Sequence, residues 1–327
     1  MKKISSDNGR FFVYSFSHLC VDALCCYLLY QLSPSPVLWI LVYHGIAFAL
    51  QPVIGYVTDR YHHFNYGLIA MIFIGLSWAV FTPLPSVILA GLGNALFHLE
   101  GGYVSLHRKE QGIRHGGIFV GPGALGIGIG TVCGKFHYLN IYLFLILFFL
   151  PAFLLILMTE KAERKERTEF HICNGEIIPV FLSVVIRGYA GFLVPSMADD
   201  PVTTLLIFLF SMLGKMLGGI LSEKLGVRRV SVISQLLCII TLPLCYFLKS
   251  FVYVSVFLIN IPMAVTLCAL CDCAEEHTGF AFGLAPLGLF IGFILKLNLT
   301  LPSTVSLVVC MVLCGCSASL FHHMFQS

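Results

Sequence analysis

Charge is what this sequence lacks. Only 11% of its 327 residues are Asp, Glu, Lys or Arg, against 58% hydrophobic, and the mean hydropathy is +0.92. A soluble domain of this length would need far more charge to cover its surface, so the chain reads as an integral membrane protein. The ten-residue alternating segments of a membrane β-barrel are missing, which leaves helices. The first apolar run ends in "QLSPSP" with no small-residue cleavage pattern, so it is expected to stay as a membrane span. The glycine-rich "GGIFVGPGALGIGIG" has no following Lys-Ser/Thr, which argues against a phosphate-cradling loop. No His-Glu-x-x-His cluster occurs, which argues against a membrane-embedded metalloenzyme. Thirteen cysteines are present, nearly all inside apolar runs, where thiols act as small hydrophobes. "CDC" at 271–273, with no second pair, is a weak metal signal. No cofactor, metal or nucleic-acid partner is expected.

What is present is a series of apolar stretches. Twelve can be drawn, at 11–32, 36–57, 66–82, 85–106, 115–134, 138–158, 177–197, 202–222, 229–247, 250–271, 279–297 and 302–321. Turn residues punctuate them, as in "SPSP", "TPLPS" and "DDP". One connection is long and highly charged, "TEKAERKERTEFHICNGE" at 159–176. The expected organisation is all-α, with about twelve transmembrane helices in two six-helix pseudo-repeats. A first bundle covers 1–158, a cytoplasmic linker 159–176 and a second bundle 177–327.

Orientation follows from the basic residues, which mark cytoplasmic loops. Lys2, Lys3 and Arg10 precede the first span, Arg60 follows the second, and Arg108, Lys109 and Arg114 follow the fourth. Lys161, Arg164, Lys165 and Arg167 follow the sixth, and Lys224, Arg228 and Arg229 the eighth. The opposite loops carry only Lys135 and Lys249, with Lys296 near that side. The chain should therefore cross the cytoplasmic membrane many times with both termini in the cytoplasm.

The two parts echo each other. "GYVTDRYHHF" at 55–64 follows the second span and "GGILSEKLGVRR" at 218–229 the eighth. Each places a glycine before a carboxylate and bases: Gly55, Asp59 and Arg60 in one, Gly219, Glu223, Arg228 and Arg229 in the other. A glycine lets helices approach, and a carboxylate can accept from a neighbouring helix N-terminus or pair with a base. Such a contact can form in one conformation and break in another. Repeated units with charged turns at matching places suit a transporter.

Ionisable residues within the spans are the candidate site. His18 and Asp22 lie at i, i+4 on the first helix and can stack on adjacent turns. A carboxylate facing lipid costs at least about 2.5 kcal/mol, so the pair should face the interior. It is either a polar knot fixing helix packing or a proton site with Asp22 as carrier, because desolvation disfavours the charged carboxylate. Asn94 and His98, also at i, i+4, form a cavity face, while Glu100 points elsewhere. Glu100 is then a second proton site or the partner of a base such as Arg114. Arg187, mid-span and permanently charged, could bind an anionic substrate or neutralise Asp22 or Glu100. Lys215 and Lys296 read as structural residues that snorkel toward the membrane boundary.

The chain also resembles a known family. Gly55, Asp59 and Arg60 match the turn after the second span of the major facilitator superfamily, with His62 and His63 where further bases are usual. Within it, "SFSHLCVDAL" (15–24), "LQPVIGYVTDRY" (50–61), "GLGNALFHLEGG" (91–102), "IRHGGIFVGPGALG" (113–126) and "VVIRGYAGFLVP" (184–195) resemble the fosmidomycin-resistance group of drug exporters. Leu99 stands where that group usually has proline. Arg114 and His115 resemble the group's Arg-His-Gly start of a glycine-rich fifth helix, and Gly121-Pro122 resembles the superfamily's antiporter motif, a site for a bend.

Residues and resemblance together predict a monomeric secondary transporter with two rocking halves. It exports a small amphipathic or anionic compound in exchange for protons, with the lipid bilayer as its setting. A proton-coupled importer is the alternative in the same class. A membrane metalloenzyme and a non-transporting sensor are the alternatives outside it.

Overall fold

The computed structural model describes residues 3–33, 36–61, 63–106, 112–161, 177–193, 200–274, 277–299 and 301–325. Backbone N–H and C=O groups inside a bilayer must be paired within the protein, so apolar runs of this length become helices. Among the described residues the successive rods are α1 (Asp7–Leu32), α2 (Val37–Arg60), α3 (Tyr66–Ala79), α4 (Pro83–Leu106), α5 (Gly112–Lys135) and α6 (Ile141–Met158). After the charged connection come α7 (Ile177–Leu193), α8 (Pro201–Leu225), α9 (Val227–Leu244), α10 (Phe251–Cys273), α11 (Thr278–Asn298) and α12 (Ser303–Met324). Nine of these are long and apolar enough to cross a membrane; α3 and α7 are shorter apolar helices, and α4 is a further 24-residue helix.

Each expected span contains one of these helices, with shifted ends. The third stops at Ala79 rather than 82. The seventh stops at Leu193, and 194–199 lie outside the described residues, as does most of the expected linker, 162–176. Local chemistry sets several starts. Ser6, Asn65, Asn140 and Asp200 each cap a helix by accepting from a backbone N–H three residues on. Gly226, at φ +94°, makes the tight turn between α8 and α9. In α2 and α6 a widened π turn (Gly45–Ala49, Leu145–Phe149) precedes Pro52 and Pro151, whose rings remove an N–H from the ladder. The segment before α1 is tied down by Ile4, which pairs through its backbone with Met158 and Glu160.

Two packing relations position the site. Helix α5 lies between α1 and α8, and α11 lies between α7 and α2. Glycines let α5 come close on both sides. Cβ atoms at Gly126 and Gly130 would strike the carbonyls of Leu19 and Ala23 on α1, and one at Gly117 would lie 2.6 Å from the Lys215 carbonyl on α8. One hydrophobic cluster joins α1–α6 to Val180, Val184, Met263 and Phe282; a second, from Tyr189 onward, joins α7, α9, α10 and α12.

Candidate functional site

The site begins with α1 and α4 side by side against α5. His18 and Asp22 on α1 are 2% and 7% exposed, and His98 on α4 is 7% exposed. The His18 Nδ1 lies 2.7 Å from the Phe119 carbonyl on α5. The His98 Nδ1 lies 2.9 Å from the Asn94 carbonyl one turn back. Both contacts fix ring orientation, and both turn Nε2 toward a common point. The two Nε2 atoms are 2.7 Å apart. Asp22 Oδ2 is 3.2 Å from His18 Nε2, and Oδ1 is 3.9 Å from His98 Nε2. Asn94 Nδ2 donates to Asp22 Oδ1 at 2.8 Å. Phe97 and Phe119 flank the His18 ring. Gly123 leaves room for the group: a Cβ there would strike His18 Nε2 and come within 2.5 Å of Asp22 Oδ2.

Three donor atoms, from His18, Asp22 and His98, thus gather within 4.8 Å of one another. Two nitrogens bound tetrahedrally to a metal at 2.0–2.1 Å stand about 3.3 Å apart. The 2.7 Å spacing seen here is that of a hydrogen bond.

The other expected residues fall into separate places. Glu100 is 1% exposed on α4 and lies outside the three-residue group. Arg114 takes its acidic partner from α8, not α4: Glu223 Oε1 accepts from the Arg114 backbone N–H at 2.9 Å, and Oε2 is 3.8 Å from Nε. Arg187, 5% exposed, donates to Thr266 Oγ1 at 2.6 Å and touches Met263 Sδ, while its Nε has no hydrogen-bond partner. Among the described residues no carboxylate comes within ion-pair distance of it. His115 is buried edge-on against Phe11, Gly121 packs on Met216, and Pro122 sits inside α5.

At the end of the bundle that carries the basic turns, two contacts obey one rule. Asp59, at the end of α2, accepts from the backbone N–H of Gly279 at 3.0 Å and Phe280 at 2.9 Å, the first turn of α11. Glu223, at the end of α8, accepts from the first turn of α5. Helix N-termini carry partial positive charge, so both carboxylates are well placed. Gly55 and Gly219 permit the approach: a Cβ at Gly55 would strike the Gly279 carbonyl, and one at Gly219 would lie 2.6 Å from the Ile113 carbonyl. Arg60 and Arg229 are exposed, Arg228 bonds the His322 ring at 2.8 Å, and His62 lies outside the described residues.

Two residues gain a place that the pattern alone did not give them. Lys215 on α8 is within electrostatic reach of Asp22, His98 and Arg187. Its distance from Leu225, about 15 Å at 1.5 Å per residue, exceeds what a lysine can snorkel, and that signal was in the sequence. Gln51 is fully buried on α2 with neither amide atom bonded. Nothing in its spacing marks it.

No protein-family model and no curated relative matches the chain. Solved structures do. The human organic anion transporter MFSD10 (TETRAN) superposes with TM-score 0.69 at 14% identity, covering 98% of this chain and 99% of that one. A Major Facilitator Superfamily transporter, FucP, in the outward conformation gives 0.64 at 11% identity, covering 98% and 97%. A bacterial homologue of the iron transporter ferroportin, in its outward-facing state, gives 0.62 at 14% identity, covering 98% and 99%. At these identities the likeness concerns architecture. The chain has the fold of major facilitator superfamily transporters.

Proposed function

We propose that the protein is a secondary transporter that works by alternating access. In this reading it exports a small amphipathic or anionic compound in exchange for protons. The observation that carries it is the buried His18–Asp22–His98 cluster at the contact of α1, α4 and α5. Ionisable groups at membrane depth cost about 2.5–3.5 kcal/mol each on insertion scales, and they mark ion and substrate pathways. A cluster that gains and loses a proton returns that cost as coupling. Arg187 faces the same interior with an unbonded Nε and favours an anionic ligand, the class named for the similar organic anion transporter.

Two six-helix halves rocking about this level supply the motion. With the basic turns in the cytoplasm, the Asp59 and Glu223 contacts close the inner side, the facing in which protons load from outside. Substrate candidates come from comparing drug and metabolite susceptibility of cells with and without the protein. The deciding test is flux of such a compound in proteoliposomes under an imposed pH gradient. Flux that ignores the gradient would end the proton-coupled reading.

A further inference from the structure

The hydrogen bonds around the cluster allow its protons to be counted. The carbonyls of Phe119 and Asn94 only accept, so the Nδ1 atoms facing them at 2.7 and 2.9 Å must each carry hydrogen. A neutral imidazole has one N–H, and in both rings it is now spent. Were both rings neutral, two bare lone pairs would face each other across 2.7 Å. Moving a proton onto Asp22 does not relieve this. An Asp22 hydroxyl could donate to His18 Nε2 across 3.2 Å, yet His98 Nε2 would still meet that nitrogen with no hydrogen between them. Three N–H bonds on four ring nitrogens satisfy both carbonyls and the Nε2–Nε2 contact.

We propose that the transported proton is held between the two imidazoles, on the Nε2–Nε2 line of His18 and His98, with Asp22 an ionised counter-ion throughout the cycle. The inference deepens the proposed function and rests on it. It moves the carrier from the carboxylate to the histidine pair and sets the load of this site at one proton. Loading forms one N–H bond at a bare Nε2 and consumes one proton from water; release breaks the same bond and returns it.

The surroundings suit a counter-ion at Asp22. Asn94 donates to Oδ1, which holds the carboxylate as an acceptor. Among the described residues, Tyr43 and His44 on α2, Cys25 and Cys26 on α1 and Lys215 on α8 are the other titratable groups within its electrostatic reach, and Arg187 on α7 acts on Lys215. Among the described residues, helix α5 presents the Phe119 carbonyl and ring and Gly123 to the cluster. With the pair empty, Lys215 still balances Asp22. With the pair loaded, the imidazolium does so at closer range.

The test uses the full chain in lipid bilayers, ¹⁵N-labelled at histidine, with signals assigned by His18→Gln and His98→Gln. Over a titration from mildly alkaline to mildly acidic pH, both Nδ1 signals should stay of N–H type. The two Nε2 signals should gain one proton between them, shared, in a single step. His98→Gln and Asp22→Asn should each abolish the shared step. Gradient-driven flux should fall to background in His98→Gln although Asp22 is intact. Coupled flux that survives in His98→Gln would return the carrier to Asp22. Two Nε2 atoms that never share a proton, or that shift together only on adding zinc to metal-free protein, would also overturn the proposal. Loss of coupled flux in wild type with the shared step present would instead indict the transport reading.

Discussion

Asp59 and Gly279 lie 220 residues apart in the chain, yet the carboxylate of one accepts the backbone N–H of the other at 3.0 Å. A second bond to Phe280 completes the cap of α11. A carboxylate at a helix N-terminus contributes about 1 kcal/mol. Asp59→Asn should therefore favour the opened basic end by about five-fold, a factor that 1 kcal/mol sets. Folding and substrate binding should be nearly unchanged, while transport slows. A variant transporting at the wild-type rate would reduce this contact to a loop interaction.

Gly55→Ala acts on the same contact by volume. Its Cβ would strike the Gly279 carbonyl, and backbone on both sides leaves no flexible side chain to yield. Gly219→Ala should do the same where α8 meets α5. Both variants should resist closing at the basic end and label faster with thiol reagents at cysteines introduced there. Unchanged labelling in both would mean that the close approach is not part of the cycle.

How legible this was varied with the physics. The helices were plain, because a bilayer demands long apolar runs and the turns between them are chemically distinct. His18 with Asp22, and Asn94 with His98, could be placed on shared faces from helical spacing. That the two faces meet could not, since the contact depends on how α1 and α4 pack. The tautomers that decide where the proton sits come from carbonyls on α4 and α5, which no side-chain pattern encodes. The partners of Gly123 emerge only with the backbone in place.

Topology can be read with thiol reagents in a cysteine-free background. A cysteine at exposed Lys224 should be protected in intact cells, and one at exposed Lys249 should label. Ser86 is unsuitable as an outer probe because it is buried and donates to the Ser77 carbonyl. The reverse pattern would invert the chain and place the closed end outside.

Arg187→Lys keeps the charge and loses the planar fork. Thr266 accepts from one guanidinium arm, and Nε is free to donate to a ligand. The change should weaken transport of anionic substrates more than of neutral ones. Flux measured for a matched anionic and neutral pair decides it. Equal losses would assign Arg187 to packing between α7 and α10.

Gly123→Ala separates stability from coupling at the cluster itself. Within a helix, replacing glycine by alanine ordinarily adds about 1 kcal/mol of stability, so nothing in α5 alone opposes the change. The obstacle lies across the interface. The new Cβ would strike His18 Nε2 and lie 2.5 Å from Asp22 Oδ2, so the ring and the carboxylate must part or α1 must retreat. The Phe119 carbonyl belongs to the same helix, so a shift of α1 also stretches the bond that holds the His18 ring. The variant should insert and unfold much as wild type does, while gradient-driven flux is lost and energy-independent exchange of substrate survives. The measurements are a thermal melt in detergent and the two fluxes in proteoliposomes. Full gradient-driven flux in a well-folded Gly123→Ala protein would show that the geometry of the three side chains does not set the coupling.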